Sequence, residues 1–544
     1  MRVERSTDDL RVKAYAGSTG VLLAMDVARA KARKGLLGFA ILERRGSRPF
    51  APLFGALPFE GDPDPAPGTR FPSNAFPIQK FRWSDYGVEA GHTYQYRVAP
   101  VYGDHALPEF GDSVDIEVRT SESADGHRVR FNRAAAASQA FARTFPDLDD
   151  ALKKQQAKGE TMVMPQEVWD WLSRGAVEMI VAFLDQAKGK GWALSIAIYE
   201  YELAVLAEAV ERAIARGVDV RIVYHAKEGD PQTEENEERL RGVPEVRTRA
   251  RVTKALCHHK FVVASKVRAD GSHAPVAILA GSTNWTENGL YRQANVVHTV
   301  RHAPTARRYL DLFDELWAGA DPAATKAWID ANNSLDGQEP LTVGFSPRSR
   351  KRDLARFAEL VRGASRDVLF ATAFNIYPDL LAALEGGAND DILRLGIQNS
   401  PSRITGFHRD RTASFVTPDK LDEGFDAFLA ETWLKQKGNI RIHTKAVVMD
   451  FTSDSPTVLS GSHNLSSNAS GSNDENYLII PGRTDVADAY GIEILRFYEH
   501  YRFRSRRSPV KGRPPRLTRD DRWTKKYVEQ PLAVMDRRRF AGTG

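Results

Sequence analysis

The sequence predicts a multidomain protein in which an all-β domain precedes two α/β lobes. The chain has 544 residues, 42% of them hydrophobic, so it can bury more than one core. In the first 120 residues apolar and polar residues alternate, which is the period of strands with one buried face. After residue 165 strands alternate with amphipathic helices, and this βα alternation occurs twice. Two α/β lobes related by internal duplication are therefore expected after the β domain.

The strand pattern of the first domain is clearest in the segment Thr93–Tyr102, where Tyr94, Tyr96 and Val98 alternate with polar residues. The predicted strands are Val12–Ala16, Gly20–Asp26, Gly38–Arg44, Thr93–Tyr102 and Ser113–Arg119. The stretch from residue 91 to residue 98 resembles the penultimate strand of fibronectin type III domains. This resemblance implies a fibronectin III-like β-sandwich over residues 1–120, which we interpret as a scaffold or a module that binds a protein partner.

The rest of the chain divides at changes in composition. Residues 121–165 are polar and charged, and they predict a helical connector. The first α/β lobe is expected over residues 166–331 and the second over residues 340–500. Between them, the segment Asn332–Pro347 contains an Asp-Gly pair and prolines, which are typical of a linker. In each lobe a predicted helix ends at a glycine, a common helix terminator.

Composition excludes several classes of protein and site. The single cysteine, Cys257, excludes an internal disulfide and a cysteine-rich metal site. No stretch of about 18 uncharged apolar residues occurs, so no transmembrane helix is expected. The N-terminus lacks the apolar core of a signal peptide. We therefore expect a cytoplasmic protein that uses neither a metal nor another cofactor.

The basic character of the chain is concentrated in residues 501–544. This tail contains fourteen Lys or Arg and four Asp or Glu, a formal charge of +10, whereas the whole chain has +5. Such a segment suits nucleic-acid phosphates or the head groups of an anionic membrane. Aromatic residues among these charges suit single-stranded nucleic acid; they are Tyr501, Phe503, Trp523 and Tyr527. The alternative interpretation is a terminal arm packed along acidic lobes.

Two short apolar segments carry the same pair of functional side chains. His258 and Lys260 are two residues apart in the first, and His443 and Lys445 in the second. Because side chains alternate faces along a strand, each pair is expected to share a face. Each pair is followed at a similar distance by Gly-Ser-x-Asn, whose polar members are Ser282, Asn284, Ser462 and Asn464. Imidazole, ammonium, hydroxyl and amide groups together suit an anionic phosphate.

The two copies resemble the paired His-x-Lys motifs (the HKD motif) of the phospholipase D superfamily. The resemblance implies two lobes of the phospholipase D type, packed face to face around one active site that needs no metal. Carried over by position, His258 would attack phosphorus and form a phosphohistidine, and His443 would protonate the leaving alcohol and then activate water. The non-bridging oxygens would be held by Lys260, Lys445, Asn284 and Asn464, with Ser282 and Ser462 as further donors.

The first copy departs from the superfamily at the position of a glutamate that orients the histidine ring. Glu475 fits this position in the second copy, whereas Asn295 takes it in the first, with Gln293 two residues before it. An amide accepts a hydrogen bond from imidazole but does not stabilise imidazolium as a carboxylate does. If Glu475 supports His443, that histidine would be the nucleophile; the usual order of the superfamily assigns this role to His258.

Other positions near the motifs have more general roles. The motif aspartate is Asp450 in the second copy and Ser265 in the first, and we expect this position to be structural. Asn295, Gln293 and Trp285 are candidate substrate contacts, although Trp285 also suits an aromatic place in the core.

The motifs define the chemistry and leave the substrate open. We expect a phosphodiester hydrolase that cleaves the head group of a phospholipid, with the aromatic-rich insertion Asn399–Lys437 as a lipid-facing lid or a packed subdomain. A nuclease that cleaves DNA or RNA with the same site is the alternative, supported by the basic tail. A second alternative is a catalytically impaired binding protein, in which the altered first copy has lost activity and the β domain binds a partner.

Overall fold

The computed structural model describes residues 1–66, 69–121, 125–134, 164–387, 391–400, 403–408, 411–416, 441–507 and 515–544, with a few isolated positions between 140 and 154. Along these residues an N-terminal β domain is followed by two α/β sheets with their helices and by a C-terminal arm.

The N-terminal domain consists of two main antiparallel sheets around one core and a short two-stranded sheet. Its elements are β1 (Arg2–Ser6), β2 (Arg11–Ala16), β3 (Val21–Asp26), α1 (Ala30–Arg33), β4 (Gly38–Arg45), β5 (Ala51–Pro52), β6 (Phe54–Gly55), β7 (Phe71–Pro72), β8 (Arg82–Asp85), β9 (Thr93–Asp104), β10 (Leu107–Phe110) and β11 (Val114–Arg119). One main sheet has the order β1-β2-β3-β8; the other has β10-β9-β4-β5, with β11 also paired to β9; the short sheet is β6-β7. Leu23, Phe39 and Tyr96 place side chains from both sheets in one buried cluster. The predicted all-β character is confirmed.

The first α/β unit begins with a strand from the predicted connector. Its elements are β12 (His127–Phe131), α2 (Gln166–Ser173), α3 (Ala176–Asp185), β13 (Trp192–Ile198), α4 (Ala204–Ala215), β14 (Asp219–Ala226), α5 (Pro231–Leu240), β15 (Thr248–Val252), β16 (Lys260–Val267), β17 (His273–Gly281), β18 (Val296–Val300), α6 (Ala303–Ala318) and α7 (Pro322–Asn332). The strand order is β12-β18-β17-β16-β13-β14-β15. The three strands from β13 to β15 are parallel, and the other pairs are antiparallel.

The second α/β unit has a sheet of corresponding order. Its elements are β19 (Thr342–Ser346), α8 (Arg352–Arg362), β20 (Asp367–Ala373), α9 (Pro378–Glu385), β21 (Leu393–Ser400), β22 (Arg403–His408), β23 (Arg411–Val416), β24 (Ala446–Met449), β25 (Thr457–Gly461), α10 (Ser467–Gly471), β26 (Glu475–Pro481) and α11 (Thr484–Arg507). The order β19-β26-β25-β24-β20-β21 repeats that of β12-β18-β17-β16-β13-β14, and β20 and β21 are again the parallel pair. The sheet then continues with the antiparallel strands β22 and β23.

Several predicted boundaries differ from the structure. Residues 127–131 of the predicted helical connector form the edge strand β12, and the predicted linker contains β19, because both segments complete a sheet next to β18 or β26. The two motif strands, expected over Ala255–Ser265 and Ile440–Asp450, begin at Lys260 and Ala446, after the histidines. Of the insertion Asn399–Lys437, the strands β22 and β23 are seen, and residues 417–440 lie outside the described ranges.

The two sheets are joined by one hydrophobic cluster that contains residues of both. The ring of Tyr309 from α6 lies edge-on to Phe261 of β16 at 5.0 Å and to Phe345 of β19 at 5.1 Å, measured between ring centroids. A buried ion pair crosses the same boundary, with Arg251 Nε 2.9 Å from Asp474 Oδ2. The relative position of the two units is therefore determined by packing and by a buried charge pair. None of the helices in the described ranges has both the length and the apolar character to cross a bilayer.

The C-terminal arm returns to the β domain. It contains a 3-10 turn (Asp521–Thr524), α12 (Lys526–Glu529) and α13 (Pro531–Ala541). Trp523 enters the core of the β domain, packs against Phe39 and Phe81 and donates its indole N–H to Leu36 O at 2.8 Å. Acidic residues of the β domain pair with basic residues of the arm, in the pairs Arg516–Asp64, Arg519–Asp62, Arg522–Glu60 and Arg537–Asp26.

This docking changes the interpretation of the tail. Tyr501 and Trp523 are buried, because they fill cores within the protein, and their rings are not presented for stacking on bases. The arm packs on the β domain and also, through Phe540 and Arg539, on the second α/β unit, and internal carboxylates neutralise part of its charge. Residues 508–514 lie outside the described ranges.

Replacing Trp523 with Ala should lower the free energy of unfolding of the β domain by about 3–5 kcal/mol, because an alanine leaves a cavity in its core. Urea denaturation of the full chain measures the change. The control is Val528→Ala, since this residue is 44% exposed and should change the free energy by less than about 0.5 kcal/mol. An equally small effect of both substitutions would contradict a structural role for the arm.

Candidate active site

The segment that leads to the first histidine crosses to the second α/β unit. The backbone N–H of His258 donates to Asp474 O at 2.9 Å, and the N–H of Asp474 donates to Leu256 O at the same distance. The Lys260 N–H donates to the side-chain oxygen of Asn476 at 3.1 Å. These bonds hold His258 directly beside the first residues of β26.

The segment that leads to the second histidine makes the reciprocal crossing. Ala294 N–H donates to Arg441 O at 2.7 Å, and the N–H of His443 donates to Ala294 O at 3.0 Å. The hydroxyl of Thr444 also donates to Ala294 O. Each histidine is thus attached by its backbone to the residues just before the last strand of the other unit.

This exchange places Glu475 behind His258. The Nδ1–H of His258 donates to Glu475 Oε2 at 2.7 Å. The same carboxylate oxygen accepts the hydroxyl of Ser462 at 2.6 Å, and Glu475 Oε1 accepts from Asn473 Nδ2 at 3.2 Å. Sequence order suggested that Glu475 would support the histidine of its own copy; it supports the histidine of the other copy, because the motif segments cross between the units.

Asn295 takes the corresponding place behind His443. Its Oδ1 lies 3.0 Å from His443 Nδ1 and accepts the Ser282 hydroxyl at 2.8 Å. Its Nδ2 donates to Gly289 O at 3.0 Å, which fixes the orientation of the amide. Asn295 therefore orients His443, and each of the two serines donates to the group that lies behind a histidine.

The ammonium group of each motif lysine lies within hydrogen-bond distance of the histidine of the same motif. Lys260 Nζ donates to His258 O at 2.9 Å, and Lys445 Nζ lies 2.9 Å from His443 Nε2. Burial lowers the pKa of Lys260 to about 8, although the carboxylates of Glu475 and Glu200 oppose that shift. Burial and the charge of Lys260 lower the pKa of Lys445 far below its usual value. Two ammonium groups thus share one enclosed site.

The same surroundings keep both imidazoles neutral. Burial, followed by the charges of Lys260 and Lys445, lowers the pKa of His258 well below 6.5. Burial and the same two lysines lower the pKa of His443 in the same direction. A neutral His258 with its Nδ1–H on a carboxylate has an unprotonated Nε2, which is the form that attacks an electrophile.

The two asparagines of the Gly-Ser-x-Asn sequences complete the site. The Oδ1 atoms of Asn284 and Asn464 are buried and have no hydrogen-bond partner in the described part of the chain. Asn284 Nδ2 donates to Glu200 Oε2. Buried polar atoms without protein partners are a feature of ligand sites.

Aromatic rings cover the histidines, and sequence reasoning missed them. Tyr199 lies 5.1 Å from the His258 ring and Phe374 lies 6.3 Å from the His443 ring, between centroids. Tyr199 and Glu200 directly follow β13, and Phe374 and Asn375 directly follow β20. Aligning the two halves of the sequence at these strands would have identified both rings and the Glu200 position.

The remaining predicted residues have structural positions. Trp285 is buried and packs on Tyr201 at 5.7 Å instead of lining a groove, because its backbone pairs with the segment after β13. Gln293 is half-buried, and its carbonyl accepts from the Asn132 amide. Asp450 accepts the N–H groups of Ser365 and Arg366, and Ser265 is buried at a bulge between β16 and β17.

The arrangement can perform phosphoryl chemistry. Two imidazoles, each oriented through Nδ1, can use Nε2 as a nucleophile and as an acid or base, and Lys445 adjoins the Nε2 of His443. Two ammonium groups and two amides surround them, which suits an anion whose charge must be held in place. One imidazole is backed by a carboxylate and the other by an amide, so the two histidines are not equivalent.

The part of the chain that carries the first motif is a phospholipase D-like domain. Residues 180–317, which include His258, Lys260 and Asn284, match the family model described as "Cardiolipin synthase, PLD-like domain". No curated protein matches the chain.

Three solved structures show limited likeness. Nuc of Salmonella typhimurium, described as a phospholipase D family member, has 18% identity and a TM-score of 0.21, with 26% of this chain and 86% of that chain covered. NucT of Helicobacter pylori has 20% identity and a TM-score of 0.21, with 29% and 93% covered. Phosphatidylserine synthase of Haemophilus influenzae Rd KW20 has 13% identity and a TM-score of 0.40, with 68% and 94% covered. These values are too low to indicate the function of this chain.

In the resting protein His258 should be the Nδ1–H tautomer, because a carboxylate accepts its proton. Long-range proton–nitrogen correlation spectra of histidine-labelled protein distinguish the two tautomers. Glu475→Gln removes the charge and should shift the His258 nitrogen signals while those of His443 change little. A His258 signal typical of the Nε2–H tautomer would contradict the pairing with Glu475.

Proposed function

We propose that the chain is a metal-independent phosphodiesterase of the phospholipase D type, with His258 as the nucleophile. The hydrogen bond between His258 and Glu475 carries this proposal. A carboxylate stabilises the positive imidazolium that forms when Nε2 bonds to phosphorus, whereas the amide behind His443 cannot do so. The proposal also takes the two corresponding sheets as duplicated phospholipase D-type lobes and the N-terminal domain as fibronectin III-like.

The first step transfers the phosphoryl group to His258. Nε2 of His258 attacks phosphorus while the bond to the leaving oxygen breaks. His443 gives a proton to that oxygen, so the leaving group departs as an alcohol. Lys445 is in contact with His443 Nε2 and can supply the proton that this buried imidazole lacks in the resting protein. Lys260, Lys445, Asn284 and Asn464 would hold the non-bridging oxygens.

The second step restores the enzyme. Water gives a proton to His443 Nε2 and attacks phosphorus, the bond from phosphorus to His258 breaks, and His443 returns the proton to Lys445. The products are an alcohol and a phosphomonoester. An amide-backed His443 holds its proton less tightly than a carboxylate-backed histidine would, which suits repeated donation and acceptance.

We propose a phospholipid head-group diester as the substrate. The match of residues 180–317 to a cardiolipin synthase, phospholipase D-like domain supports a lipid. The nuclease alternative is supported by a cleft of about 790 Å³ that is lined by Lys227, Lys254 and Lys326 and includes residues 252–255, shortly before His258 in the chain. The complete set of histidines, lysines and asparagines argues against an impaired binding protein.

A two-substrate assay in EDTA tests the function. Fluorescent phosphatidylcholine or phosphatidylglycerol vesicles are compared with plasmid and single-stranded DNA. We expect lipid cleavage that falls by about 10²–10⁴ in His443→Ala, the usual contribution of acid–base catalysis, and that vanishes in His258→Ala. His92→Ala is the control, since this side chain is 62% exposed. DNA cleavage lost in both variants would make the chain a nuclease.

An activated aryl diester identifies the nucleophile within the same experiment. Its leaving group needs no proton, so His443→Ala should still form the adduct on His258 but hydrolyse it slowly, and mass spectrometry should detect it. An adduct on His443 in His258→Ala would reverse the assignment. Activity that survives both substitutions, or that EDTA abolishes, would refute the mechanism.

The rate should decline as the pH rises through about 8. Lys260 must be protonated to hold the phosphate, and its pKa is lowered to about 8. The lowered pKa of His258 keeps the nucleophile neutral at pH 6.5, so no loss is expected there on mild acidification. The measurement is kcat/KM against pH. In Lys260→Arg the guanidinium stays charged, so the decline in kcat/KM should move to higher pH, and any decline that remains would come from deprotonation of Lys445. An unchanged pH profile would exclude Lys260 as the origin of the decline.

A further inference from the structure

A carboxylate stands beside the anion-binding groups of the first half of the site. Glu200 follows β13 and accepts a hydrogen bond from Asn284 Nδ2. Its negative charge reaches both active-site lysines, since it raises the pKa of Lys260 and of Lys445 against the effect of burial. The corresponding residue of the second half is Asn375, which is neutral.

This placement is unexpected for a site that binds phosphate. A carboxylate next to a phosphate oxygen repels it, and the repulsion grows in proportion to the charge of the ligand. A phosphodiester carries one negative charge. A phosphomonoester, whose second pKa is about 6, carries about −1.5 to −2 at pH 7. The proposed reaction converts the first kind of ligand into the second, so the same carboxylate disfavours the product more than the substrate.

The amide of Asn284 accommodates both neighbours. It has two N–H groups, of which one is used by Glu200, so the other can still meet a phosphate oxygen. Asn284 can therefore keep its hydrogen bond to Glu200 while it donates to a phosphate, and Glu200 stays next to the bound ligand. Tyr199, the preceding residue, packs on the His258 ring and keeps this segment close to the nucleophile.

We propose that Glu200 is a specificity-determining residue that selects monoanionic phosphodiesters over dianionic phosphomonoesters and so limits inhibition by the product. The proposal rests on the function proposed above for the same site. It assigns to the first half of the site a discriminating role that the neutral Asn375 does not provide in the second half.

Binding of two small probes, measured without turnover, tests this proposal. Dimethyl phosphate is the monoanion and methyl phosphate the dianion, and calorimetric titration at about pH 7.5 keeps the latter mostly doubly charged. In Glu200→Gln both should bind more tightly, with a gain for methyl phosphate near the square of the gain for dimethyl phosphate, for example about tenfold against about threefold. Glu200→Asp should retain the discrimination of the wild type.

The matched control is Glu202→Gln. This carboxylate lies two residues further along and accepts from Gln232 Nε2 instead of from a residue of the site. The same change of charge there should leave the ratio of the two affinities within about twofold of the wild type. Circular dichroism and the thermal midpoint of each variant establish that it is folded.

Two results would overturn the proposal, and a third would contradict the proposed phosphodiesterase function as well. Equal gains for both probes in Glu200→Gln, or an equal change of the ratio in Glu202→Gln, would show that Glu200 does not discriminate by charge. Dimethyl phosphate that fails to bind to wild type and variants alike would instead contradict the proposed phosphodiesterase function, and with it the inference. The expected outcome is a gain in affinity that is larger for methyl phosphate than for dimethyl phosphate in Glu200→Gln and absent in Glu202→Gln. Methyl phosphate should also inhibit turnover by Glu200→Gln more strongly than turnover by the wild type.

Discussion

The hydrogen bond between His258 and Glu475 joins residues that are more than two hundred positions apart in the chain, one in each α/β unit. The geometry of the active site depends on this bond. Its counterpart joins His443 to Asn295. Both bonds exist because the segments before β16 and β24 pair with backbone of the opposite unit. Neither half can therefore orient its own histidine, and the site forms only when the two sheets are packed together. The aromatic contacts of Tyr309 and the buried Arg251–Asp474 pair hold that packing in place.

The exchange also makes two similar motifs chemically different. A carboxylate behind one histidine stabilises positive charge on its ring, and an amide behind the other does not. Enclosure of two lysines in the same space lowers the pKa values of all four basic groups, which leaves the imidazoles neutral and the ammonium groups easy to deprotonate. Glu200 adds a second carboxylate to this balance, beside Asn284 of the first half. The two histidines have different roles in the proposed reaction because Glu475 corresponds to Asn295, and Glu200 to Asn375, in two otherwise similar halves.

The β domain and the C-terminal arm form a second structural system. Trp523 fills the β-domain core, and Arg537 pairs with Asp26 in the same region. On the other side, the buried Glu493 of α11 pairs with Arg174 and accepts from Thr19, which connects the β domain to the α/β units. The basic composition of the arm thus reflects in part its attachment to acidic loops of the β domain. Composition alone does not distinguish a charge used for docking from one used for binding a ligand.

The sequence by itself determined the order of an all-β region followed by α/β units, five strands of the β domain, and the proximity of His258 to Lys260 and of His443 to Lys445, because these depend on local periodicity and on a motif that occurs twice. It also identified Glu475 and Asn295 as the positions that orient the histidines in the superfamily it resembles. Only the tertiary structure decided which histidine each of them serves, that Ser282 and Ser462 support them, and that Glu200 and Tyr199 border the site. Those relations are contacts between distant segments, and the spacing of residues along one chain carries no information about which unit a crossing strand will meet.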